Sequence, residues 1–175
     1  MGLEAHRAAS PPSLAVYVVT FSDSRDEQSD TTGELIREAL VAAGHRIVGW
    51  CIWREDAEKL RGGMQALLGQ GGFDVVIVNG GTGIAPRDHA YEVLAALYER
   101  EIPGFGELFR ALSYAEIGSA ALLSRASAGI AKGVLVFSVP GSRGAARLAL
   151  DKLILPELGH LVGELRRAPE RERPS

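Results

Sequence analysis

The chain has 175 residues, a formal net charge of −3, 46% apolar and 23% charged residues, the profile of one globular domain of roughly 100–200 residues. That charge gives no basic footprint for nucleic acid, and no apolar run reaches the roughly 18 residues needed to span a bilayer. Cys51 is the only cysteine, which excludes an internal disulfide and the cysteine clusters of a structural zinc site.

"MGLEAHRAASPPS" has no apolar h-region and so is no secretory signal; the expected location is the cytoplasm. Residues 1–13 and the terminal "RRAPERERPS" carry few large apolar groups, and both are expected to be flexible tails around a domain spanning about 14–165. The first predicted strand is "LAVYVVT" (14–20), followed by "HRIVGWCIW" (45–53), "FDVVIVNG" (73–80) and "GVLVFSVPG" (133–141). Between them "TGELIREALVAAG" places Leu35, Ile36, Leu40 and Val41 on one helical face, and "AEKLRGGMQALLGQ" does so with Leu60, Met64, Leu67 and Leu68. "FGELFRALSY" reads as helix, "AEIGSAALLSRA" as helical or mixed, and "SAGIAKG" as a loop. In "AARLALDKLILPELGHLVGEL", Pro156 should kink the last helix or begin a new one.

Strands alternate with helices, and the runs at 14–20 and 73–79 are apolar almost throughout, as parallel strands covered on both faces must be. The expectation is a three-layer, Rossmann-like α/β fold with a mostly parallel sheet. Ligands in such folds bind beyond the carboxyl ends of the strands. There "NGGTGIAPRD" places Gly80, Gly81, Thr82 and Gly83, whose backbone amides can converge on an anion. Arg87 adds a fixed cation, and Asp88 is either a carboxylate for Mg2+ or the cap of the next helix. The stretch is neither G-x-G-x-x-G nor a P-loop.

Three further loops open on the same edge. The first carries Ser22, Asp23, Ser24, Asp30, Thr31 and Thr32, and the last carries Pro140, Gly141 and Ser142. Both can offer hydroxyls and helix N-terminal amides to an anion, or simply cap their helices. After the second strand, Glu55 and Asp56 either complement a helix dipole or join Asp88 in an acid or metal site. The four histidines have no metal-ligand spacing.

Taken together, "NGGTGIAPRD", "EIPGFGELFRALSYAEIG", "LLSRASAG" and "VFSVPGSRGAARLALDKLILPEL" resemble the MoaB/MogA family of molybdenum cofactor biosynthesis proteins, in order, over about residues 14–162. "SDTTG" and "FRALSYAEIG" are closer to its B-type branch. The resemblance implies trimers, or hexamers built from trimers, that bind molybdopterin, a pterin dithiolene with a terminal phosphate. It further implies adenylylation of that phosphate by ATP with Mg2+, releasing pyrophosphate. On this resemblance Gly80–Gly83 form the glycine loop and Asp88 is the essential acid and metal ligand. The second acid falls on Glu55 or, one step away, on Asp56, while Ser124 and the loop of Pro140, Gly141 and Ser142 complete the ligand-binding set; apart from the resemblance, Arg125 is either a phosphate-binding cation or a solvated surface residue. Trp53 and Arg54 replace the Val-Pro of catalytic relatives, Glu55 replaces an acid that is often aspartate, and Asn79 stands where threonine is common. The alternative activity is that of a non-catalytic, oligomeric pterin-binding or assembly protein of the same pathway. A nucleotide-pyrophosphate hydrolase is disfavoured by "PGFGE".

Overall fold

The structure, a computed structural model, describes residues 11–167. Of the regions expected as tails, 1–13 and 166–175, residues 1–10 and 168–175 lie outside the described residues, whereas Arg166 ends the last helix and pairs with Asp74. The chain runs β1 (Ala15–Phe21), α1 (Thr31–Ala42), β2 (Arg46–Trp53), α2 (Ala57–Gln70), β3 (Val75–Asn79), α3 (Ala90–Ala95), β4 (Arg100–Glu101) and α4 (Pro103–Ile117). A 3-10 segment (Gly118–Leu123), β5 (Ser127–Ala131), β6 (Val134–Val139), α5 (Arg143–Ala149), a π-helical turn (Leu150–Ile154) and α6 (Leu155–Arg166) complete it.

The six strands form one sheet in the order β2-β1-β3-β6-β5-β4. β2, β1, β3 and β6 are parallel, and β5 runs antiparallel to both β6 and β4. Alternation along β1 divides the core. Val16 and Val18 pack with Leu35, Ile36 and Leu40 of α1, Phe109 of α4 and Ile154 below α5. Val19 and Phe21 pack on the other face with Leu60, Met64 and Leu67 of α2 and with Val93 and Leu94 of α3. Helices therefore cover both faces, which is why β1 and β3 read as continuous apolar runs.

Two departures from the sequence reading have physical causes, and the expectation that Pro156 breaks the last helix or begins a new one is met. "SAGIAKG" supplies β5 rather than a loop, because pairing with β6 and β4 outweighs the weak strand propensity of Ser, Ala and Gly. Val41 is exposed rather than core, since β2, next to its helix, is the edge of the sheet. The last helix is interrupted one turn before Pro156 by the π-helical turn: proline supplies no N–H to the carbonyl four residues earlier, and its ring crowds that carbonyl.

A buried polar chain fixes the carboxyl edge of the sheet. Thr20, the penultimate residue of β1, donates its hydroxyl to Asp30 Oδ2 at 2.6 Å and accepts from Asn79 Nδ2, at the end of β3, at 2.8 Å. Asp30, only 2% exposed, caps α1 by accepting from the Gly33 amide at 3.0 Å. Arg25 lies 3.5 Å from the same carboxylate and donates to the Gly141 carbonyl at 2.8 Å, where Thr32 Oγ1 also donates at 2.9 Å. The loops after β1 and β6 are thereby tied to the ends of β1 and β3.

Thr20→Val keeps the shape but removes both bonds, leaving a buried carboxylate oxygen unsatisfied and loosening Asn79. The expected loss of stability is about 2–4 kcal/mol. Ser13→Ala, which removes an exposed bond to the Gly44 carbonyl, should cost less than about 1 kcal/mol. Urea denaturation of both variants checks the contrast.

Candidate functional site

β3 ends in Asn79, and the chain then turns through Gly80 and Gly81 at φ of 103° and 65°. A Cβ at Gly80 would lie 2.2 Å from the Phe21 carbonyl oxygen, so only glycine lets this loop pass the end of β1. The loop borders a cleft of about 420 Å³. Its polar side is made by Ser22, Ser24, Arg25, Glu55, Asp88 and the loop residues Gly80, Gly81, Thr82 and Gly83, with Pro140, Gly141 and Ser142 from the end of β6. Phe109, Ile117 and Leu123 of α4 and the 3-10 segment give an apolar wall.

Asp88 does not cap α3; His89 holds that position. Its Oδ2 instead accepts from the Ala85 amide at 2.8 Å, folding the glycine loop back on itself. A Cβ at Gly83 would sit 2.5 Å from that oxygen, so glycine at 83 is what admits the carboxylate. Glu55 follows β2 and is held through its backbone amide, which donates to Asp23 Oδ1 at 3.1 Å. Its side chain is 16% exposed, and its Oε2 is buried without a hydrogen-bond partner, with Arg87 Nε 3.7 Å away as an ion-pair neighbour. Burial first, and then the nearby charges of Asp88 and Asp23, push the Glu55 carboxyl above its ordinary pKa, with partial relief from Arg87 and His89. Three acids thus share one field at the mouth of the glycine loop.

An unsatisfied buried carboxylate oxygen beside a second carboxylate fits a hard divalent cation. Among the described residues no group of three or more His, Cys, Asp or Glu is placed to hold a metal by itself. Phosphate oxygens or water would have to supply the remaining positions, as is usual for Mg2+.

Other expected residues serve the loops. Asp56 is exposed, caps α2 by accepting from the Lys59 amide at 2.9 Å, and does not line the cleft, so Glu55 is the acid facing it. Asp30 and Thr32 are buried in the polar chain, while exposed Thr31 offers its carbonyl to Arg143. Ser142 lines the cleft and caps α5 through the Ala145 amide at 3.3 Å. Arg125 braces the glycine loop from behind: its backbone amide donates to the Thr82 carbonyl at 3.0 Å, Nε to the Gly83 carbonyl at 2.9 Å and Nη2 to the backbone carbonyl of Asp88 at 2.8 Å, while Nη1 pairs with Glu92. Ser124 lines the cleft itself.

Sequence reading missed Arg25 and the apolar wall. No spacing marks a single arginine in a polar loop, and Phe109 is indistinguishable from ordinary core until α4 is seen to cross the strand ends.

A family model described as "Probable molybdopterin binding domain" matches residues 17–160. The chain is 47% identical to molybdenum cofactor biosynthesis protein B of Bacillus cereus over 168 residues, covering 95% of this chain and 99% of that protein. With the Escherichia coli K12 protein of the same name, identity is 41% over 143 residues, 82% of this chain and 84% of the relative. A crystal structure of a molybdenum cofactor biosynthesis protein B superposes with a TM-score of 0.86 at 48% identity, covering 90% of this chain and 99% of that one. The tungsten cofactor synthesizing protein MoaB of Pyrococcus furiosus gives 0.80 at 36% identity, covering 90% and 100%. Matched in fold, in order and over nearly its whole length, the chain belongs to the molybdopterin-binding domain family of molybdenum cofactor biosynthesis proteins.

Proposed function

We propose that the protein acts in molybdenum cofactor biosynthesis by binding molybdopterin in the glycine-loop cleft and adenylylating it with ATP. The observation that carries this reading is the pairing of Glu55 and Asp88 beside a loop of close-approach glycines. In the reaction, an oxygen of the molybdopterin phosphate attacks the α-phosphorus of ATP, the bond from that phosphorus to the bridging oxygen breaks, and pyrophosphate leaves. Such a transfer needs positioning and charge neutralisation more than covalent help.

The chain's own groups meet those needs. The Gly80 amide is taken by the Val139 carbonyl at 3.0 Å, which leaves the amides of Gly81, Thr82 and Gly83 for the phosphates, and Arg25 at the cleft wall and Arg87 at its rim bring positive charge. Asp88 and Glu55 would hold Mg2+, which when bound neutralises phosphate charge. Ile117 and Leu123, with Phe109 behind them, set an apolar wall beside the reacting phosphates. Cytoplasmic location and assembly into trimers or hexamers belong to the same proposal. Assembly is supported by Leu108 and Tyr114, large side chains exposed on α4 outside the cleft. No helix among the described residues is long and apolar enough to cross a membrane.

The test is molybdopterin-dependent pyrophosphate release with ATP and Mg2+. Asp88→Asn keeps an oxygen for the Ala85 amide but loses the charge, and it should lower kcat by roughly 100-fold or more while molybdopterin still binds. Glu55→Gln should lower kcat in the same direction without lowering the melting temperature, since it removes like-charge repulsion. Absence of release by the unaltered protein, with molybdopterin bound, would assign it instead to pterin binding or assembly in the pathway.

A further inference from the structure

Glu55 faces the glycine-loop cleft, and its buried Oε2 has no hydrogen bond. The like charges of Asp23 and Asp88 stand close to it, so the cation beside it governs what the site can accept. Most cations around the cleft are spoken for. Arg25 is committed to Asp30 and the Gly141 carbonyl, and Arg125 to Glu92 and the carbonyls of Gly83 and Asp88. Exposed Arg54 lines a neighbouring cleft and forms no ion pair among the described residues. His89, another basic group near Glu55, is charged only when protonated. That leaves Arg87, whose Nε lies 3.7 Å from Glu55 Oε2.

That contact is near enough for charge attraction but too long for a hydrogen bond. The Arg87 side chain is 74% exposed and makes no hydrogen bond among the described residues. The backbone beside it is pinned. The Asp88 amide donates to the Ala85 carbonyl at 2.8 Å, the Asp88 carboxylate accepts from the Ala85 amide at 2.8 Å, and the Asp88 carbonyl accepts from Arg125 at 2.8 Å. A long side chain on a fixed backbone can leave Glu55 without disturbing the loop that carries Asp88. We propose that Arg87 is an exchangeable counter-ion: it pairs with Glu55 until a divalent cation takes that carboxylate, and then turns its guanidinium onto the phosphates. One residue thereby couples the two ligands, opposing the cation alone and favouring the phosphates. The proposal rests on the reading of the cleft as a Mg2+ and nucleotide site and names the residue that links them. A residue that merely braced the loop would, on removal, weaken both ligands; an exchangeable counter-ion moves them in opposite directions.

Two probes are titrated separately into the full-length, nucleotide-free protein. Mn2+ stands for the cation, with the free ion counted by electron paramagnetic resonance, and inorganic pyrophosphate in EDTA, followed by calorimetry, stands for the phosphates. Arg87→Met should tighten Mn2+ binding at least about five-fold and weaken pyrophosphate binding at least about ten-fold. Arg87→Gln, a polar replacement, should do the same, and circular dichroism should show both variants folded, since the side chain is exposed. Arg87→Lys keeps the charge and should hold Mn2+ affinity within about two-fold of the unaltered protein. Arg54→Met removes a cation one position from Glu55 that is not paired with it, and should leave both affinities within about two-fold. The inference is overturned if neither the unaltered protein nor the Arg87 variants bind Mn2+ saturably, if loss of Arg87 fails to tighten Mn2+, if both ligands weaken together, or if Arg54→Met reproduces the effect. Mg2+-dependent pyrophosphate release alongside any of those results leaves adenylylation standing and removes the counter-ion. The predicted pair of shifts without pyrophosphate release removes adenylylation and keeps the counter-ion.

Discussion

Everything at the carboxyl edge of this sheet depends on the buried Asp30 carboxylate being satisfied. A buried charge is tolerated only when donors surround it. Here the Thr20 hydroxyl, the Gly33 amide and the Arg25 guanidinium do so. Each donor comes from a segment that must also be placed for the cleft to exist: the end of β1, the first turn of α1 and the loop joining them. Asn79 extends the chain to β3, and Arg25 and Thr32 extend it to the Gly141 carbonyl. The cost of burying one charge is thus turned into registration of the loops that meet at the cleft.

The rim of that cleft is built on the opposite principle. Glu55, Asp23 and Asp88 repel one another, and Glu55 Oε2 lacks a hydrogen-bond partner. As pH rises past the ordinary glutamate range, ionising Glu55 works against the fold, because its folded pKa is raised and the folded state holds the proton longer. Such unrelieved charge, one loop away from the satisfied Asp30 carboxylate, is what the proposed cation would neutralise.

Sequence carried most of the architecture because the strong signals were strong for physical reasons. β1 and β3 are apolar on both sides since helices cover both, and glycine at 80 and 83 is demanded by contacts of 2.2 Å and 2.5 Å that any Cβ would make. What was not legible depends on tertiary pairing. β5 consists of weak strand formers that only β6 and β4 hold extended. Asp30, Thr32 and Arg125, expected at the ligand, are engaged within the fold, because a side chain that binds phosphate and one that braces a loop have the same chemistry until their partners are known. Glu55 and Asp56 are likewise equivalent in sequence; the cap of α2 takes one and leaves the other facing the cleft.

The central claim is that Glu55 and Asp88 face each other across the glycine loop in a shared field. The most direct measurement is a residue-resolved NMR titration of the Glu55 carboxyl in Mg2+-free and nucleotide-free protein, repeated in Asp88→Asn. The account predicts a Glu55 pKa above the ordinary glutamate value that falls toward it once the Asp88 charge is removed. An ordinary or lowered value, unchanged by the substitution, would mean that the two carboxylates do not share a site.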